Sequence, residues 1–190
     1  MRTMGWIVGA ALMLAPVAAA GELLPAGVTE DSLSAEPALV RLDAQAILFV
    51  RLKTVRNTPE STELISSTFK RIWKFAAANK IQVIGSPMEI MTSYQEADGS
   101  WHVSAAIPVA AAALPARAGD IQLGTIGGGE GVQAAHRGDH GRIKDTHARI
   151  EAFLAARGLT RRGKIVEQHF DDPHKVPAEK LRSAVTFFLE

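Results

Sequence analysis

The chain has 190 residues, 47% hydrophobic and 22% charged, which excludes a disordered tail and a polytopic membrane protein and leaves room for one or two small domains. Twenty-one Lys/Arg stand against 20 Asp/Glu, for a net charge of +1, and no block of one sign forms the basic stripe of a nucleic-acid binder. There is no cysteine, hence no disulfide, thiol nucleophile, zinc–cysteine site or lipoprotein acceptor.

Residues 1–20 read as an export signal. Arg2 precedes an apolar run from Trp6, and Ala18-Ala19-Ala20 places cleavage before Gly21. The run is about 15 residues, short of the roughly 20 that span a bilayer, so no stable membrane span is expected after cleavage and the periplasm is the expected compartment. Residues 21–43, rich in Pro, Gly, Ser and Glu, read as a loose leader.

From Ala44 the pattern is α+β. Ala46 to Val50 begins a strand that continues to about Arg56. Thr58-Pro59-Glu60 supplies a capping hydroxyl, a proline at the first helical position and an early acid. Ile65, Phe69, Ile72 and Ala76 then recur at helical spacing to about Asn79. Met88 to Tyr94 and Trp101 to Val109 read as strands joined at the Asp98-Gly99 turn, with Pro108 marking an end or an edge. Ala110 to Gly119 is a small-residue linker. Ile121 to Arg137, interrupted by glycines, is a bulged strand or a hairpin. Asp139 to Arg157 is a helix closed by Gly158 and Leu159. Ile165 to Phe170 and Ser183 to Leu189 are strands around the Asp171-Asp172-Pro173 turn.

The two halves align without gaps at an offset of 78. Thr68–Glu89 and Thr146–Glu167 agree at eight of 22 positions, among them Ile72/Ile150, Phe75/Phe153, Gly85/Gly163 and Glu89/Glu167. The expected architecture is therefore a duplicated β-α-β-β unit, residues 44–110 and 119–190, forming an antiparallel sheet with helices on one face and a central cleft. A one-residue shift also lays Ser104-Ala105 on Ser183-Ala184. With the helices covering one face, the other face is expected to line the cleft, where Ser104, Ala105, Ala106, Ser183 and Ala184 leave volume for a ligand.

His136-Arg137-Gly138-Asp139-His140-Gly141 leads into Ala148-Arg149-Ile150-Glu151-Ala152-Phe153, and Phe170-Asp171-Asp172-Pro173 precedes Pro177-Ala178-Glu179-Lys180-Leu181-Arg182-Ser183. In this order the stretches resemble the GyrI-like effector-binding family, over about residues 45–190. The resemblance implies two β-α-β-β repeats about a pseudo-twofold axis, with a cleft for small organic, often aromatic or cationic, molecules. Its members include effector-sensing halves of transcription regulators, stand-alone binders, a gyrase inhibitor and some hydrolases. Two features depart from that pattern. No helix-turn-helix precedes the domain, which disfavours a DNA-binding regulator. Ala184 stands where the family often carries an acid, which weighs against cation binding and carboxylate-assisted hydrolysis.

Six residues are candidates for ligand contact. Glu89 and Glu167 are equivalent acids across the expected cleft, suited to holding a cation or to acid/base work, or else solvated strand residues. Tyr94, Trp101, Phe170 and Phe187 are rings near strand ends that stack on a planar ligand or pack the core. His136, His140 and His147 with Asp139 lack a metal-binding spacing, and Asp139 suits a helix cap, so no metal is expected. Residues 124–131 (GTIGGGEG) lack the lysine of a phosphate-binding loop and read as a bulge or wide turn. No serine-nucleophile motif is present. The expectation is an exported, non-catalytic protein that binds an aromatic or lipophilic small molecule, with no cofactor and no nucleic-acid partner. The alternative is a hydrolase using a cleft glutamate as general base.

Overall fold

The computed structural model describes residues 34–55, 58–95, 97–110, 114 and 118–190, so the export signal lies outside the described residues. Eight strands and two helices follow in chain order: β1 (Ala38–Leu42), β2 (Gln45–Thr54), α1 (Pro59–Ala78), β3 (Met88–Gln95), β4 (Ser100–Pro108), β5 (Gln122–Ile126), β6 (Gly129–Arg137), α2 (Ile143–Arg157), β7 (Arg161–His169) and β8 (Arg182–Leu189).

The caps follow the sequence reading. Thr58 accepts from the Ser61 amide and Ser61 Oγ from the Thr58 amide, both at 3.1 Å, closing a reciprocal capping box with Pro59 inside it. At the other helix, Gly158 adopts φ +61°, and the Leu159 amide reaches Leu154 O at 3.0 Å. The second helix starts later than expected. Asp139 caps a short 3₁₀ turn, His140–Arg142, by accepting from the Gly141 amide at 2.8 Å, and the α-helix begins at Ile143.

All pairings are antiparallel, in the order β1-β6-β8-β7-β3-β4-β2-β5. The two ends of that row meet. Only Asp43 and Ala44 separate β1 from β2, and only Gly127 and Gly128 separate β5 from β6. Leu42 pairs with Gly129 and Gln45 with Ile126, three residues on along each chain, so both ladders keep one register. The sheet thus curls into a ring of six long strands, which leaves no long unpaired edge. Gly127 and Gly128, at φ +87° and +78°, make the bend. A side chain at 127 would meet the Asp43 carbonyl oxygen.

One expectation is corrected here, and one open alternative is decided. Residues 38–42 belong to the fold, not to a loose leader: Val40 and Leu42 alternate with exposed Leu39 and Arg41 as a half-buried strand does. Residues 121–137 form one bent strand rather than a hairpin, because β5 and β6 pair with β2 and β1 and not with each other.

Successive residues point to opposite faces of the ring. Inside it, Ile47, Met88, Ile90, Ala106, Ile126, Val166 and Phe188 pack together. Outside, α1 lays Ile72 and Ala76 on Leu48, Val50, Ala105 and Ile107 of β2 and β4. The second helix lays Ile143, Ile150 and Leu154 on Val132, Ala134, Val185 and Phe187 of β6 and β8. Strands β3 and β7 therefore form the floor of a seam between the two helices.

Candidate functional site

The two candidate acids meet on this floor. Glu89 of β3 is the register partner of Glu167 of β7. Both belong to the outward set that includes Met91 and Ile165, so they face the helix-bearing side. The expectation that the opposite face lines the cleft is corrected: that face curls on itself and packs the ring interior. The small residues proposed for the cleft are divided by the same alternation. Ala105 lies under α1 and Ser183 shares the outward face of Val185, while Ser104, Ala106 and Ala184 point inward. The one-residue shift that aligned Ser104 with Ser183 is off by a face, since the ladders set Glu89 opposite Ala105 but Glu167 opposite Val185.

Histidines surround the acids. His147, one turn into α2, places Nε2 2.7 Å from Glu167 Oε1, with their side chains 16% and 3% exposed. His169 lies two residues beyond Glu167 on β7 and so on the same face. Its Nε2 is 3.3 Å from Glu89 Oε1 and its Nδ1 is 3.2 Å from Ser183 Oγ. Ser183 Oγ also meets His140 Nε2 at 3.1 Å, and the His140 and His169 rings lie 4.7 Å apart. Burial, then the neighbouring His169 and His136, push the His140 imidazole down to about 4, so it is neutral at pH 7. The result is a continuous polar line, Glu89–His169–Ser183–His140, beside the Glu167–His147 pair. One carboxylate oxygen each from Glu89 and Glu167 and one His169 ring nitrogen lie within 4.8 Å of one another.

The remaining candidates fall elsewhere. Tyr94 and Trp101 stack on each other at 4.9 Å between ring centres, at the far end of the β3–β4 hairpin. Five residues of strand separate Tyr94 from Glu89, about 17 Å, so neither ring lines the seam with the acids. Phe187 is fully buried and meets His147 edge-on at 5.3 Å, where it seats that histidine. Phe170 follows β7 half-buried, its amide bound to Arg182 O at 3.0 Å. His136 is structural. It is buried, with Nδ1 3.0 Å from Thr146 Oγ1 and Nε2 3.0 Å from the Asp139 carbonyl. Asp139 is the cap expected of it. His169 was not singled out from sequence, although the two-residue step from Glu167 was a readable sign, and its hydroxyl partner Ser183 was named there only for its small volume.

The GyrI-like small molecule binding domain matches over residues 35–187. The chain belongs to this family. Solved structures share the fold at low identity. A hydrolase from Listeria innocua superposes with a TM-score of 0.59 at 16% identity, over 84% of this chain and 94% of that one. EcmrR in its DNA complex gives 0.69 at 13%, over 82% and 57%. SAV2435 bound to tetraphenylphosphonium gives 0.51 at 11%, over 82% and 94%. No curated protein sequence matches the chain. Among the described residues, no helix is long and apolar enough to cross a membrane.

Proposed function

We propose that this GyrI-like protein is exported and holds an organic small molecule in the seam between α1 and α2, with Glu89 and Glu167 as its polar floor. The carrying observation is the register that sets the two carboxylates side by side, each held by an imidazole. Two acids in a partly dry seam favour a ligand with an apolar, aromatic body and a cationic or hydrogen-bond-donating group. SAV2435, solved with a lipophilic aromatic cation, supports the direction of that reading. Removing one carboxylate from such a contact costs roughly 1.5–3 kcal/mol, about ten- to a hundredfold in affinity. A thermal-shift and calorimetric screen of aromatic cations beside neutral isosteres tests it. Hits that weaken in Glu89→Gln and Glu167→Gln are the expected result. Equal binding of cations and isosteres, unchanged in both variants, refutes the site.

The duplication expected from the sequence is part of this proposal. Glu89 pairs with Glu167, Met88 with Gln168 and Ile90 with Val166; at an offset of 78 the first pair maps onto itself and the other two onto each other, as an axis through the acids requires. The strand order to either side, β3-β4-β2 and β7-β8-β6, supports the same reading. Export rests on residues 1–20 alone, and N-terminal sequencing of the secreted protein tests cleavage before Gly21. The absence of a nucleic-acid partner is read from the charge pattern of the sequence, and the shared fold of a protein solved on DNA lends it no support.

One observation favours a second reading, hydrolysis. Glu89, His169 and Ser183 line up as carboxylate, imidazole and hydroxyl at 3.3 and 3.2 Å. Ser183 is only 1% exposed, which suits an orienting role better than attack on a substrate. Any ester turnover that persists unchanged in Glu89→Gln and Glu167→Gln removes this reading.

A further inference from the structure

We infer that Glu89, Glu167 and His169 form a site for one divalent transition-metal ion. The inference uses the carboxylate pair of the proposed ligand seam but does not require that an organic molecule bind there.

Three observations carry it. The first is spacing. Two ligand atoms each about 2.0–2.1 Å from a tetrahedral ion stand about 3.3–3.4 Å apart. His169 Nε2 and Glu89 Oε1 are separated by 3.3 Å, the span an ion needs, and longer than the roughly 2.7–2.9 Å of a charge-assisted hydrogen bond. All three donor atoms lie within 4.8 Å, so rotation of a glutamate side chain by about 1 Å completes the set.

The second is the outer support. Metal-bound imidazoles direct their other nitrogen to a hydrogen-bonding group, and metal-bound carboxylates are themselves held. His169 Nδ1 meets Ser183 Oγ at 3.2 Å, and His147 Nε2 holds Glu167 at 2.7 Å. Phe187, packed edge-on against His147, keeps that histidine in place.

The third is proton placement. Ser183 has one hydroxyl proton and two imidazole neighbours. When His169 donates from Nδ1 to Ser183 Oγ, Ser183 donates to His140 Nε2, and the His169 Nε2 lone pair faces Glu89. A lone pair opposite a carboxylate is repulsive unless a cation lies between them. In the reverse arrangement His140 donates to Ser183, Ser183 to His169 Nδ1, and His169 Nε2–H to Glu89. The relay thus offers a metal-free and a metal-ready state: in passing to the second, His140 passes its Nε2 proton to Ser183 and Ser183 passes its own to His169 Nδ1, while one proton leaves His169 Nε2 and one is taken up from water at His140 Nδ1, so their number is unchanged.

Two carboxylates and one imidazole suit zinc, iron or manganese rather than a thiolate-seeking ion. Three protein ligands leave a fourth position open to water or ligand.

The test is a titration of the purified protein with Zn²⁺ by calorimetry and with Co²⁺ by visible absorption, with no organic ligand present. One equivalent is expected to bind. Cobalt is expected to give the intense band of a four- or five-coordinate ion, displaced by zinc. His169→Asn and Glu89→Gln should each weaken binding at least tenfold, while His174→Ala, at an exposed surface histidine, should leave it unchanged. Should a variant fail to fold by circular dichroism, histidine NMR of the unaltered protein decides, because zinc must shift the His169 ring signals before those of exposed His102 and His174. No saturable binding, a six-coordinate aquo-like cobalt spectrum, or shifts confined to surface histidines overturns the site. A failed metal titration with intact binding of aromatic cations removes the metal and leaves the ligand seam. The opposite outcome removes the ligand seam alone.

Discussion

Alanine at Gly127 and at Gly128 separates the two demands that ring closure makes on the chain. Both glycines have positive φ, +87° and +78°, where an L side chain costs about 1–2 kcal/mol. Their surroundings differ. At 128 the nearest atom to an added Cβ is Ala44 Cβ at 3.5 Å, an ordinary contact. At 127 the added Cβ drives into the Asp43 carbonyl oxygen, with the Asp43 carbonyl carbon at 3.1 Å behind it. Backbone cannot rotate away as a side-chain end does, so one of the crossing strands must move. Gly128→Ala should therefore cost about 1–2 kcal/mol and Gly127→Ala about 3 kcal/mol or more. At roughly 2–4 °C per kcal/mol for a chain of this size, the melting points should fall by about 3–6 °C and by about 8 °C or more. Urea unfolding followed by tryptophan fluorescence and circular dichroism measures both. Amide exchange should quicken first along β1 and β5 in Gly127→Ala. Equal destabilisation by the two substitutions, or a harmless Gly127→Ala, would refute the close crossing of the two strands and with it the closed ring.

Other substitutions test the layers around the seam. Phe187→Ala removes a fully buried ring and should cost about 3–5 kcal/mol by denaturant titration, with a loss of order at His147 visible in its NMR signals. Thr58→Ala deletes half of the capping box and should cost about 1 kcal/mol, with Thr58→Asn largely neutral. Stability should decline in two stages as pH falls. Between about 6.5 and about 4 the unfolded chain takes a proton on His140 that the burial of the folded imidazole refuses, and His140→Gln should flatten that stage. Below the ordinary carboxylate value of 3.8, Asp171 is protonated in the unfolded chain first. Its folded carboxylate is held lower by hydrogen bonds from Arg182 at 2.7–2.9 Å, so stability present above that pH is lost below it, and Asp171→Asn should shrink that stage, which Asp120 and Asp172, also held low, share.

Much of the architecture could be read from local chemistry. Thr58-Pro59 and Gly158-Leu159 announce helix ends because capping needs particular groups within a few residues. The pairing of Glu89 with Glu167 was foreshadowed by the internal alignment. What stayed hidden depended on partners distant in sequence. Ala38–Leu42 has the alternation of a strand, but its surroundings read as leader, and only β6 makes it structure. Gly127-Gly128 reads locally as a bulge or a turn, and only the crossing at Asp43 decides between them. The placement of the aromatic candidates stayed hidden for a related reason. Phe187 and Trp101 share a face with the acids, but face alone fixes neither the depth of Phe187 nor the distance of Trp101 along its strand. Composition suggested a cleft on the uncovered face, whereas curling consumed that face as core.

The two banks of the seam are chemically unlike. At the offset that relates Glu89 to Glu167, Phe69 occupies the place of His147 and Met91 that of His169. His140, His147 and His169 therefore all come from one half of the chain, while its counterpart places apolar side chains at the positions of His147 and His169. In the proposed seam, the imidazoles of one half alone give a bound guest a preferred direction, because neither Phe69 nor Met91 offers a matching nitrogen.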